Sequence, residues 1–147
     1  MKSVVILDTN VWISGMISKG HPHDILVHIR HGHIVALGSM ALLDEIKDVL
    51  LREKISQKLS SLGLSPEIAF GLIQEILLVI PIENDFRASQ LRDARDNHLL
   101  ACADAAHLLR IEVEAVVTGD DDLLVLHEFK DIPILSPQQW INQRRNK

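Results

Sequence analysis

Aromatic side chains make up only 3% of the chain, and cysteine occurs once, at Cys102. With so few rings, the core must be built from Val, Ile, Leu and Ala, and the platform on which single-strand binders stack bases is missing. A lone cysteine excludes a disulfide framework within the chain and fits a reducing cytosol. Cys102 lies in a helical pattern and reads as a small core residue. Positive charge is also short. Fifteen basic against 20 acidic residues give a net charge of −5, which excludes the basic footprint of a non-specific duplex binder. Nucleic-acid contacts, where they occur, are expected mostly at phosphates. The N-terminal MKSVVILDTN carries one lysine and an apolar run far too short for a signal peptide or membrane span. These absences predict a soluble, cytoplasmic protein. At 147 residues, the simplest organisation is one domain over 1–147, large enough to bury a core without disulfides or a structural metal.

What is present is a series of short β-branched runs separated by helical patterns. KSVVIL reads as a strand buried on both faces, stopping at Asp8. Asp8-Thr9-Asn10 is a turn or cap cluster before a helical VWISGMIS, and Pro22 opens a second helix in PHDILVHIRHG. HIVALGS is the second strand. Ser39 then caps a helix expected to run through MALLDEIKDVLLREKI, whose Leu42, Leu43, Ile46, Val49 and Leu50 repeat at helical spacing. Ser65-Pro66-Glu67 has the N-cap, first-position proline and first-turn acid of another helix, which runs into ILLVIPI and a third strand. The polar stretch from Glu83 to Arg95 reads as a functional loop or a frayed helix. Asp96-Asn97 begins an alanine-rich helix, Val113 to Val117 and Ile132 to Leu135 are strands, and Ser136-Pro137 starts a terminal helix. Strands separated by helices imply crossover connections. The expected fold is α/β, a three-layer α/β/α sandwich around a central, mainly parallel sheet of four to five strands.

In such sheets, ligands bind beyond the carboxyl ends of the strands. Asp8 follows the first strand directly, and Asp120 follows the fourth after Thr118-Gly119. Glu45 lies close to the buried stripe of its helix, and Asp96 lies at the start of the alanine-rich helix. If the four converge, each pair about 4 Å apart repels by about 4 kcal/mol at an effective dielectric of about 20. A divalent cation relieves that repulsion. Carboxylate oxygens without cysteine or a required histidine suit Mg²⁺ or Mn²⁺ rather than Zn²⁺. Such ions orient a phosphodiester and activate a water for in-line displacement. Setting the four acids aside leaves 16 acidic residues against 15 basic, a surface near neutrality that tolerates a polyanion.

LDTNV, LLDEIKDVL, RDARDNHLLACA and VVTGDDDLL, in this order and spacing, resemble the PIN domain, a family of metal-dependent nucleases. The ILSPQQW ending is similar to that of its toxin-component, VapC-like branch. The resemblance covers nearly the whole chain. It implies Mg²⁺- or Mn²⁺-dependent ribonuclease activity on RNA, frequent homodimers and, for toxin members, neutralisation by a small antitoxin protein. Carried over by residue, Asp8, Glu45, Asp96 and Asp120 match the metal-site acids. Asn10 matches the asparagine that orients the first, Thr118 the hydroxyl beside the last, and Asp122 an additional acid near the site. Where relatives commonly read RDP-x-D, this chain has Arg92-Asp93-Ala94-Arg95-Asp96, which changes the loop more than the ligand.

Plainer roles compete at several positions. Asp8 alone could be a turn or cap residue, and Asp96 an N-cap. Asp93 ranks below Asp96 as a ligand, while Asp44, beside Glu45, is expected in solvent. Arg87, Arg92 and Arg95 are candidate RNA phosphate contacts, or pair with Asp85 and Asp93. His21, His23, His28, His31 and His33 have no second cluster to complete a zinc site and read as a solvated helix face. His98 is assigned to the surface, and Trp12 and Trp140 to the core or a dimer interface. A non-catalytic PIN-like module that binds RNA or protein is the alternative to the enzyme; degenerate members usually lack an acid, and all four are present here. A phosphatase using Asp8 as nucleophile is disfavoured because Asn10, not an acid, stands two positions on.

Overall fold

The structure is a computed structural model and describes residues 2–82 and 97–146. The first strand, β1 (Ser3–Leu7), is followed by helices α1 (Thr9–Ile17) and α2 (His21–Arg30), then by β2 (Ile34–Gly38). Helices α3 (Met40–Leu50), α4 (Glu53–Ser61) and α5 (Pro66–Ile76) lead to the edge strand β3 (Leu77–Val79). Helix α6 (Asn97–Leu108) returns the chain to β4 (Ala115–Val117). The short helix α7 (Asp121–Leu124), strands β5 (Glu128–Phe129) and β6 (Ile132–Leu135), and helix α8 (Pro137–Arg145) follow.

The strands form one sheet in the order β3-β2-β1-β4-β6-β5, parallel except for β5. Helices flank it as expected for a three-layer α/β/α fold. The chain winds outward from β1 to β3 and then resumes on the other side of β1 with β4. The seam between β1 and β4 is therefore the point where the winding reverses, and in open sheets of this kind ligands bind beyond the carboxyl ends at such a point. The Val5, Ile6, Leu7 triplet and all of β4 are buried, as strands covered on both faces must be.

Helix starts follow the capping chemistry. Ser39, Ser65 and Ser136 each accept a backbone N–H of the first turn, and Ser136 with Gln139 completes a capping box. The helix expected to continue through Ile55 instead breaks after Leu50. Arg52 adopts an extended conformation and caps α4, which lets Leu59 reach full burial against the core while Leu51 stays exposed. No glycine or proline marks that break. The β5–β6 hairpin adds a sixth strand beyond the expected four to five. Its two-residue loop, Lys130-Asp131, has positive φ at both positions, 50° and 67°, the mirror-image turn that suits twisted strands but usually carries Asn or Gly. Trp12 and Trp140 are core residues. Cys102 is buried, and burial pushes its thiol up to about 12, so it is inert packing.

Candidate active site

Backbone pairing carries one residue past the end of β1. The Asp8 N–H donates to Val117 O at 3.0 Å, while Asp8 O accepts from Val11 and Trp12 as α1 begins. Asp8 is thus pinned between strand and helix, with 7% of its surface exposed. Its side chain makes no helix-cap bond of the ordinary kind. Instead, Oδ2 accepts the Thr118 hydroxyl at 2.7 Å, and the Thr118 oxygen in turn accepts the Asp120 N–H at 3.0 Å. Thr118 is fully buried, and its own N–H donates to Leu135 O at 2.9 Å. A hydroxyl can donate and accept at once, so one threonine fixes the turn that presents Asp120 and the carboxylate of Asp8.

Burial raises the Asp8 carboxyl above its ordinary range. The hydrogen bonds from the Thr118 hydroxyl and the Thr9 amide act against this, the charge of Glu45 adds to it, and His98 opposes it. Among the described residues, no lysine or arginine pairs with Asp8. Asp120 is half-buried and caps α7, its Oδ1 accepting the Asp122 N–H at 2.9 Å.

Glu45 projects from α3 half-buried, between Leu42, Leu43, Ile46 and Val49 on the buried stripe, whereas Asp44 and Asp48 face solvent. Its Oε2 lies 2.5 Å from Nε2 of His98, in the first turn of α6. His98 is therefore not a surface residue: its side chain is 16% exposed, and its Nδ1 is buried without a partner among the described residues. Helical phase was the available signal, because His98 stands three and four residues before the buried Ala101 and Cys102. Asn10, Asp121 and Asp122 are exposed, and among the described residues Thr118 supplies a side-chain hydrogen bond to the Asp8 carboxylate. Asp93, Asp96, Arg87, Arg92 and Arg95 lie outside the described residues.

A family model for the PIN domain matches residues 4–122. The chain belongs to the PIN domain family. The matched span holds Asp8, Glu45, Thr118 and Asp120 and stops before the β5–β6 hairpin. PIN domains are generally nucleases and generally use divalent metals, which supports a nuclease role here. No curated protein and no solved structure gives a match to the chain. The donors of the PIN site are all hard oxygens, and the carboxylate of Asp8 is buried without a guanidinium or ammonium partner among the described residues. That chemistry fits Mg²⁺ or Mn²⁺. Among the described residues, no three His, Cys, Asp or Glu side chains close into a cage on their own. No helix among them is long and apolar enough to cross a membrane.

Proposed function

We propose that the chain is an endoribonuclease dependent on Mg²⁺ or Mn²⁺, one domain over 1–147, with Asp8, Glu45, Asp96 and Asp120 as its metal-site acids. The observation that carries this reading is the buried, hydroxyl-locked carboxylate of Asp8 beside Asp120 at the seam where the sheet winding reverses. A bound dication supplies charge neutralisation at the phosphodiester and lowers the pKa of a water nucleophile. The protein's own part is positional. Thr118 holds the Asp8 carboxylate and accepts the backbone N–H of Asp120, and His98 holds Glu45. Burial of Asp8 keeps bulk water from screening its charge, so its interaction with a cation is worth more than at the surface. Asn10, Asp93 and Asp122 take supporting roles, and Arg87, Arg92 and Arg95 take RNA phosphates. Incubating the purified protein with structured and unstructured RNA, with Mn²⁺ or chelator, and mapping the cut ends tests this. Asp8→Asn and Asp120→Asn should abolish cleavage with the fold intact; undiminished, metal-independent cleavage by either variant overturns the mechanism.

The same reading extends to a VapC-like toxin that acts in the cytoplasm as a homodimer and is held in check by a small antitoxin protein. It is supported by the similarity of the IL-S-P-Q-Q-W ending, which here forms the end of β6 and the capping box of α8. Expression should arrest growth, and co-expression of a neighbouring small gene should relieve the arrest; growth unaffected by the wild-type chain removes the toxin role and leaves the nuclease to be judged on RNA alone.

A further inference from the structure

The end of α2 places two histidines together by backbone geometry. Gly32, with φ of 79°, ends the helix in the left-handed conformation. The Gly32 N–H donates to Ile29 O and the His33 N–H to His28 O, each at 3.0 Å. This crossed pair of bonds is the Schellman motif, in which the residue after the glycine folds back on the one five positions earlier, normally with an apolar contact between them.

Among the described residues the same motif occurs twice more. At the end of α4, Gly63 N–H donates to Ser60 O and Leu64 N–H to Leu59 O; after α6, Arg110 N–H donates to His107 O and Ile111 N–H to Ala106 O. Those two motifs carry the expected apolar pairs, Leu59 with Leu64 and Ala106 with Ile111. The α2 motif carries His28 with His33, their Nδ1 atoms 3.5 Å apart and their ring centroids 5.7 Å apart.

Two imidazole nitrogens that bind one tetrahedral ion at about 2.0–2.1 Å stand about 3.3–3.4 Å from each other. The Nδ1 atoms of His28 and His33, in exposed hydrogen-bond contact, are within a few tenths of an ångström of that separation, and the backbone motif sets the two side chains next to each other. We propose that His28 and His33 form a two-imidazole site for a borderline dication such as Zn²⁺ or Ni²⁺, at the opposite end of the sheet from the carboxylates. Its remaining positions are left to water, since His31, whose ring lies edge-on to His33 with centroids 6.0 Å apart, does not close a three-ligand cage with the pair.

The charged neighbours decide which metal it takes. Asp24 lies one turn back on α2, and Arg144 of α8 lines the same cavity as His28. Lys2 Nζ sits 3.8 Å from where a Cβ on Gly32 would be. With Arg144, Arg145 and Lys2 against the single carboxylate of Asp24, the pair must bind through coordinate bonds to neutral nitrogen rather than through net charge. Imidazole ligands then favour Zn²⁺, Ni²⁺ or Cu²⁺ over Mg²⁺. Binding would clamp the end of α2 to the start of β2.

Calorimetric titration of the full chain with Ni²⁺ in excess Mg²⁺ tests the site, with thermal unfolding as a second readout. One equivalent of Ni²⁺ should bind and raise Tm. His28→Gln and His33→Gln should each weaken binding about tenfold or more. The double variant His28→Leu/His33→Leu, which restores the apolar pair seen in the other two motifs, should fold normally and show no Ni²⁺-induced rise in Tm. Asp8→Asn should bind Ni²⁺ as the wild type does. Absence of Ni²⁺ binding, binding that survives both glutamine substitutions, or binding lost in Asp8→Asn overturns the proposal, and none of these results bears on the nuclease reading.

Discussion

The Thr118 hydroxyl donates to Oδ2 of Asp8 across 110 residues of sequence, and it is the contact that joins the end of β1 to the end of β4 in side-chain terms. Replacing it with valine keeps the shape and removes both halves of the relay: Asp8 loses its donor, and the Asp120 N–H loses its acceptor. A hydrogen bond to a charged group contributes about 1.5–3 kcal/mol. Thr118→Val should therefore lower stability in urea by about that amount and weaken Mn²⁺ binding about 10–100-fold. Thr118→Ser should retain both, and a valine variant with unchanged Mn²⁺ affinity would show that the hydroxyl does not position the acid.

Asp8 should also make the metal-free protein less stable at neutral pH. Because burial raises its carboxyl above the unfolded value, the stability it contributes is fully present below that unfolded value, about 3.9, and is lost as pH rises through the folded one. Asp8→Asn should accordingly raise the Tm of the metal-free protein at pH 7. The gain should shrink as pH falls toward the ordinary carboxylate range. Mn²⁺ at about 100 times its Kd should raise the wild-type stability by about 2.7 kcal/mol and leave Asp8→Asn nearly unmoved.

His98 acts through Glu45, as a positioning residue. His98→Ala removes the imidazole 2.5 Å from the Glu45 carboxylate and should reduce Mn²⁺ affinity about 10–100-fold. His98→Gln, which can still donate to Oε2, should recover part of that loss. Electron paramagnetic resonance of bound Mn²⁺ separates this from a general loss of fold; equal affinity in wild type and alanine variant would remove His98 from the site.

Gly15 lets α2 approach α1, the helix that begins at Asp8. A Cβ there would stand 2.4 Å from Leu26 Cδ1 and 3.0 Å from Pro22 O, and Leu26 is itself buried. Overpacking of this kind costs about 1–3 kcal/mol. Gly15→Ala should lower the urea midpoint accordingly, despite alanine's higher helix propensity; a more stable variant would show that the two helices part without penalty.

Much of this was legible in the chain because several of its signals are local. The β-branched runs before Asp8 and before Thr118 announce strands that end in acids, and serines at 39, 65 and 136 announce helix starts. Helical phase separates Glu45 from Asp44 and Asp48. The features that sequence reading missed depend on tertiary packing or on residues of the wrong type. Arg52 breaks a helix that propensity would continue, because Leu59 gains full burial by the change of direction. Lys130 and Asp131 adopt positive φ without the asparagine or glycine that flags such a turn; the Lys130 ammonium is held by Asp104 of α6. His98 reads as polar surface until Glu45, 53 residues earlier, is folded against it. The expectations for Asp93, Asp96 and the three arginines lie outside the described residues.

The adjacency of β1 and β4 has a consequence in time. Loop closure over so long a separation is slow compared with local helix formation, and the lock on Asp8 needs Thr118, whose own amide is held by Leu135 of β6. A nascent chain that has emerged only as far as α6 already carries Asp8, Glu45 and His98, and β2 to pair with β1, yet it lacks β4 and the Thr118 hydroxyl that Asp8 accepts. Closure of the lock on Asp8 therefore waits until residue 135 has left the ribosome.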